Sequence, residues 1–408
     1  MATMKRILRR TKDSVGRAKL LRWAIRISLI FAAMSYYRIN SLLFSPDKLD
    51  ENKLDVKVNT PVERNPNTEN VNTENVQDNY QFAEGKPVEI ADGTPNLDKK
   101  RELPSAKLLL TSKPPFEDSD MIKLYPADSE AQPLIKSPNT VVTGYFRVAS
   151  KHGPGKYDGW MENMLSLQDA MVIFTQPDLV DQIKHLRSHA VNRTVIIPMS
   201  LDDLPIGKFY EESFWQDQLD RDPEKKRHRS YQLFWIWLSK TWSVAQAIRM
   251  NVYDSDIFVW SDIGCFRNRK FNSKTMVVHR ETVPRDEILQ MAHHKPNPPD
   301  EELYFDKYKK KANFYHSGSQ FVGYKDTLLT FHEYFLETID RFLEKEMIIV
   351  DDQCVLQSVC LSHPEICAYA PTSQVNDNHY FGLRTVLHHG GEFNYWRGDP
   401  KSKNVTRV

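Results

Sequence analysis

The chain has 408 residues, with 55 Lys and Arg against 54 Asp and Glu, so its formal net charge is +1. That balance excludes a chain-wide field drawing nucleic acid or an acidic polymer. Hydrophobic residues make up 40%, enough for a sizeable core in one large or two medium domains with tails.

Charge is unevenly placed. Residues 1–22 carry Lys5, Arg6, Arg9, Arg10, Lys12, Arg17, Lys19 and Arg22 against Asp13, which reads as a basic cytoplasmic tail. WAIRISLIFAAMSYYRINSLLF follows at 23–44, long enough to span a bilayer. Arg26 and Arg38 lie near its ends and can snorkel, and Trp23, Tyr36 and Tyr37 suit the interfacial belts. With no small-residue cleavage site, the segment reads as an uncleaved signal anchor. A single-pass type II membrane protein of the Golgi or another secretory compartment is the expectation. A mitochondrial presequence and an amphipathic surface helix are the rivals. Residues 45–138 are rich in Asn, Asp, Glu, Lys and Pro and contain NTENV twice, at 67–71 and 72–76. They read as a flexible stem, with KLLL at 107–110 the one apolar interruption.

The folded domain is expected over 139–408. TVVTGYF (140–146) reads as its first strand, SKHGPGKYDGW (150–160) as a polar loop and AMVIFT (170–175) as a second strand. Pro177 and Asp178 open a helix, and RTVIIPM (193–199) is a third strand; this alternation argues for a parallel sheet with crossover helices. Residues 230–250 read as one long amphipathic helix feeding the strand DIFVWSD, whose continuous apolar content suggests burial on both faces. TMVVHR (275–280) and SQFVGY (319–324) read as strands, and helices follow at 325–346 and from Asp351 or Asp352 as N-cap. The fold class is α/β. Cys265, Cys354, Cys360 and Cys367 match no zinc spacing and admit one or two disulfides of unreadable pairing. Asn192 and Asn404 begin N-glycosylation sequons.

In IFVWSDIGCFRN (257–268), an apolar strand ends in Asp262. Ligands bind outside the carboxyl ends of strands in doubly wound sheets. A carboxylate there can hold a divalent cation bridging a diphosphate, Gly264 admits close backbone approach, and Arg267 meets phosphate as a fork. That is the design of a nucleotide-sugar site; the plainer alternative makes Asp262 a turn cap. Asp254-Ser255-Asp256 precedes the strand, and Asp118-Ser119-Asp120 lies in the stem, so neither Asp-x-Asp tripeptide is well placed.

VVTGYFRV, WLSKTW, FVWSDIGCFRN, HSGSQFVG and DDQCVLQ, in this order over about 140–395, resemble the HtrL/YibB family, usually placed among glycosyltransferases. The resemblance implies a GT-A-like nucleotide-sugar-binding fold with a mainly parallel central sheet. It implies transfer of a sugar from a nucleotide-sugar to a glycan or glycoprotein hydroxyl, assisted by Mn²⁺ or Mg²⁺. Thr143, Gly144 and Tyr145 would sit by the base and ribose, and Lys240 would neutralise phosphate. Ser317, Gly318 and Gln320 would wall the acceptor or donor sugar, with Gln353 beside them. Asp351 or Asp352 would act as base. His388 and His389 precede Gly390-Gly391, and His389 would join Asp262 as a metal ligand. Each has a structural alternative: solvated lysine, turn, N-cap, surface histidine. A non-catalytic membrane-tethered glycan- or protein-binding protein on a degenerate transferase fold is the alternative function. A hydrolase is disfavoured because HSGSQ lacks the G-x-S-x-G elbow, and an NAD enzyme because no G-x-G-x-x-G follows the first strand.

Overall fold

A computed structural model describes residues 103–125, 134–149, 152, 154–293, 316–378 and 380–397. The expected tail, anchor, residues 45–102 of the stem and Asn404 lie outside them. Among the described residues, no helix is long and apolar enough to cross a membrane.

Nine strands form one mixed sheet: β1 (Ile122–Lys123), β2 (Asn139–Tyr145), β3 (Met171–Thr175), β4 (Thr194–Pro198), β5 (Ile257–Ser261), β6 (Ile288–Ala292), β7 (His316–Tyr324), β8 (Cys367–Pro371) and β9 (Trp396–Arg397). Their order is β1-β4-β3-β2-β5-β7-β6-β8-β9. Strands β4, β3, β2 and β5 run parallel, as do β6 and β8. The other four pairings are antiparallel, which corrects the expected mainly parallel sheet. Parallel neighbours need a crossover. Helix α1 (Pro154–Leu165) supplies it between β2 and β3, and α2 (Val180–Leu186) between β3 and β4, while α3 (Glu212–Arg221) follows β4. Among the described residues no α-helix separates β6 from β7, and β7 runs antiparallel to both its neighbours.

The apolar strand sequences are explained by burial on both faces: every residue of β3, β5, β6 and β8 is buried. One face, with Val142, Phe174 and Phe258, packs under α5 (Lys240–Met250) and α6 (Lys325–Glu344), through Trp242, Phe331 and Phe335. The other, with Val141, Ile173 and Val259, packs on α1 and on α8 (Leu383–His389), through Met164 and Leu387.

Several expectations are corrected. The helix over 230–250 is interrupted at Ser239, giving α4 (Gln232–Leu238) and then α5, so Lys240 opens a helix instead of lying within one. Serine competes for backbone groups in helix interiors, and here the Ser243 hydroxyl donates to the Ser239 carbonyl at 3.0 Å. TMVVHR is not a strand. Met276 and Val277 N–H donate to the buried Asp169 carboxylate, and Val278 and His279 N–H donate to Leu387 O, so no ladder forms. The polar loop at 150–160 becomes helical from Pro154, a residue preorganised for a first helical position. Strands β6 and β8 carry too little alternation to be read from sequence.

The segment expected as stem is folded over 103–125. Ala106, Leu109 and Phe116 are buried, Phe116 meets Phe174 and Trp242 edge-on, and Ala106 N–H donates to Asp340 of α6. Ile122 of β1 pairs with Ile196 of β4. Cys360 and Cys367 form a disulfide, while Cys265 and Cys354 are free and buried.

Candidate active site

The crossovers from β2 lead away from β5, so the carboxyl ends of these two parallel neighbours form a topological switch point. A cleft of ≈ 850 Å³ opens there, within the usual size range of ligand sites. Gly144, Tyr145, Lys240, Asp262, Gly264, Arg267, Ser317, Gly318, Asp351, Asp352 and Gln353 all line it. Thr143, Gln320 and His389 do not.

Lys240 organises the floor. Burial of α5's first turn leaves this residue 3% exposed. Its Nζ lies 2.9 Å from Asp262 Oδ1, 2.7 Å from Asp352 Oδ2 and 3.0 Å from Gly318 O. An ammonium has three N–H groups, and these three oxygens surround it. Lys240 therefore holds the site together from beneath, which corrects the expectation that it meets phosphate. Burial lowers its pKa most strongly, but Asp262 and then Asp352 outweigh burial and hold it above the usual lysine value. Asp352 is pushed up to about 7: burial dominates, Lys240 opposes it, and Asp351 and Asp262 add to it. The two directions agree physically, because Lys240 gains two carboxylate partners, Asp262 and Asp352, while burial disfavours the charged form of Asp352.

The Asp351-Asp352 pair divides its work. Asp351 is the N-cap of α7 (Asp352–Ser362), its Oδ1 accepting from Gln353 N–H at 2.8 Å. Asp352, first in the helix, turns to Lys240. Gly318 makes that approach possible: a Cβ there would stand 2.7 Å from Gln353 Cγ and 2.9 Å from Asp352 Oδ2. Gln353 Nε2 donates to His316 O at 3.0 Å, fixing α7 against β7.

Asp262 is the more open carboxylate, its side chain 31% exposed, with Oδ1 also accepting from Trp260 Nε1 at 2.7 Å. Gly264 lines the cleft and lets Trp160 pack closely, since a Cβ there would lie 3.3 Å from that ring. The Arg267 guanidinium lies 4.4 Å above the Trp160 ring and 4.8 Å from that of Phe381. Tyr145 stacks on Tyr157 at 6.3 Å and donates to Asp158 at 3.1 Å; burial and then Asp158 push its hydroxyl up to about 12.

Three assignments are corrected. Gln320 is buried behind the cleft, its Nε2 donating to Ser261 Oγ at 3.0 Å and its Oε1 accepting from Arg384 N–H. Thr143 is fully buried and turned to Met164 Sδ. His389 is exposed at the last position of α8, beside His388, which itself contacts Thr275 O. His389 therefore does not join Asp262 in the cleft. Among the described residues, no group of three or more His, Cys, Asp or Glu is placed to hold a metal ion. Cation binding by both carboxylates does not fit, since Lys240 stands between them. A cation held by Asp262 and substrate phosphates does fit the donor set, as Mg²⁺ commonly takes one carboxylate plus phosphate oxygens.

Sequence reasoning missed Trp160 and Tyr157, which lay in the supposed loop. It also missed the pair Asp222–His228, with Oδ2 and Nδ1 2.5 Å apart, in a charged run without apolar periodicity. Arg384 was missed too: it donates to Cys265 O and pairs with Asp377 at 3.0 Å, tying the Asp262 loop to the segment that bears Tyr380 and Phe381.

Residues 137–374 match the family model HtrL_YibB, described as a bacterial protein of unknown function. The match spans more than half of the chain, which belongs to the HtrL/YibB family. No curated protein matches. Among solved structures, mouse xyloside xylosyltransferase 1 in its apo form is similar at 9% identity and a TM-score of 0.34, over 56% of this chain and 83% of that one.

Proposed function

We propose that the protein is a glycosyltransferase that moves a sugar from a nucleotide-sugar donor to a glycan or glycoprotein hydroxyl. The observation that carries the reading is one cleft at a topological switch point holding Asp262 at the end of β5 and, across Lys240, Asp352 with its carboxyl near neutrality. The donor diphosphate lies beside Asp262 and Arg267. Mn²⁺ or Mg²⁺, held by Asp262 with the phosphates, would supply charge neutralisation for the departing nucleoside diphosphate. In an inverting transfer, Asp352 takes the proton of the acceptor hydroxyl as its oxygen bonds to the anomeric carbon and the bond from that carbon to the diphosphate breaks. A carboxylate whose pKa is near 7 suits that task at neutral pH. Lys240 positions both acids, and Asp351 caps α7.

The setting proposed is the lumen of a secretory compartment, with residues 23–44 as a type II anchor. The Cys360–Cys367 disulfide supports an oxidising location. A non-catalytic binding protein is the second reading, favoured by the enclosure of Lys240 by oxygens from the protein itself.

The deciding assay follows nucleoside diphosphate release by the full-length chain from a panel of nucleotide sugars, with and without Mn²⁺. Metal-dependent release lost at least 100-fold in Asp262→Ala is expected (a factor of about 100 corresponds to about 2.7 kcal/mol). No turnover of any donor by folded protein would leave the binding reading in place.

A further inference from the structure

We propose that a second arm of the cleft, formed by Trp237, His228, Arg227 and Glu224, is the acceptor site and that its ligand is an uncharged saccharide. The inference rests on the transferase reading and assigns the part of the cleft that reading leaves open.

The residues that line the cleft beside Asp262, Lys240 and Asp352 fall into two groups by their contacts. Trp160 and Arg267 belong to the Asp262 side: Trp160 packs on Gly264, and Arg267 lies over Trp160. With Tyr145 at the end of β2, this is the switch-point side, where a nucleotide binds. The second group adjoins α7. His228 and Glu224 both act electrostatically on Asp351, and Trp237, near the end of α4, lies just across the break at Ser239 from Lys240. An acceptor lodged there stands next to Asp352, the group that must reach its hydroxyl.

The chemistry of this arm suits a sugar ring. Trp237 and Ile236 are partly exposed, giving an indole and an aliphatic surface for the C–H face of a pyranose. Polar groups stand around them in fixed orientation. The fully buried Asp222 carboxylate contacts His228 Nδ1 at 2.5 Å and accepts from Glu224 N–H at 2.8 Å. His228 also packs its ring edge-on against Trp237, at 4.9 Å between centroids. Glu224 and Arg227 pair at 2.8 Å, presenting a carboxylate and a guanidinium edge to vicinal hydroxyls. Charge argues against an anionic acceptor: Arg227 is matched by Glu224, and the carboxylates of Asp222 and Asp351 stand close by. A purely lipid acceptor would strand these polar groups against hydrocarbon.

The test has a binding arm and a kinetic arm, both on the full-length chain. Methyl glycopyranosides, neutral and uronic, are titrated while following tryptophan fluorescence of the parent and of Trp237→Phe, with thermal melts as the folding control. A saturable change for neutral glycosides, lost in Trp237→Phe, is expected. With a donor in hand, Trp237→Ala should raise the acceptor KM at least tenfold while donor KM moves less than twofold. Trp237→Phe should recover most of that loss, and Trp160→Ala should show the reverse split. The proposal is overturned if Trp237→Ala raises donor KM instead, if only peptides or uronic glycosides bind, or if no glycoside alters the fluorescence. Saccharide binding through Trp237 without turnover of any donor upholds the site and removes the transferase reading. Turnover with a Trp237-independent acceptor KM does the opposite.

Discussion

Lys240 has two carboxylates within 3 Å and little access to water. Its removal leaves Asp352 enclosed beside Asp351 and Asp262 with no cation. Lys240→Met should therefore destabilise the fold by about 3–5 kcal/mol, measured by denaturant unfolding at pH 7. Loss below 1 kcal/mol would show the cluster to be held by something else. Lys240→Arg should not rescue, because a planar fork does not fit a pocket shaped around one nitrogen. Asp352 gives a pH prediction with two signs. Its folded pKa is raised to about 7, so the folded state binds its proton more tightly than the unfolded chain does. Stability from this group is present below the unfolded value of about 4 and declines as pH rises toward 7. Activity runs the other way, rising to a plateau as Asp352 ionises. Asp352→Asn should flatten the fall in stability between pH 4 and 7 and abolish turnover. A stability profile identical to the parent's would contradict the assignment. Asp262 was legible because an apolar strand ends abruptly in it. Its link to Lys240 and Asp352 was not, because the partners are remote in sequence and meet only when α5 and α7 converge on the sheet.

At the scale of elements, β7 and α7 meet where Gly318 has no side chain. The Cβ of Gly318→Ala would collide with Gln353 and Asp352, and both belong to a helix start fixed by the Asp351 cap. The expected outcome is a stability cost of about 1–3 kcal/mol and a loss of activity larger than that cost explains, read from melts and from donor turnover. Unchanged kinetics would mean that α7 yields freely. The same strand shows what periodicity can reveal. Ser317 and Ser319 reach Tyr380 O on the cleft side, while Gln320, one residue on, turns inward to Ser261. Strand parity alone separates Ser319 from Gln320 once the cleft side is known, but a single sequence does not say which face is which. Likewise, the apolar run at 230–250 shows a helix but not its interruption at Ser239, which depends on backbone bonding in the packed state.

For the whole molecule, the strand–helix alternation from 140 to 199 made the α/β class legible. The second half was less so: β6 and β8 are five residues each, and neither has period-two alternation. The N-terminal part of the domain was misread for a compositional reason. Its few apolar residues, Ala106, Leu109 and Phe116, sit in a polar background, yet each is buried. Phe116→Ala should cost about 3–5 kcal/mol, as for other core aromatics. A cost under 1 kcal/mol would return this segment to the stem.

The two outermost strands, β1 and β9, are only two residues long, and each pairs antiparallel with a longer neighbour. Short flanking strands of this kind mask the unpaired amides and carbonyls of a sheet edge, where other chains would add. Cutting the chain at residue 135 removes β1 and bares Thr194–Pro198, an apolar segment with a free hydrogen-bonding edge. Such a fragment should self-associate with rising concentration in sedimentation velocity, where one beginning at residue 103 stays monodisperse. Residues within the supposed stem thus govern solubility, a property that neither the cleft nor the core reveals.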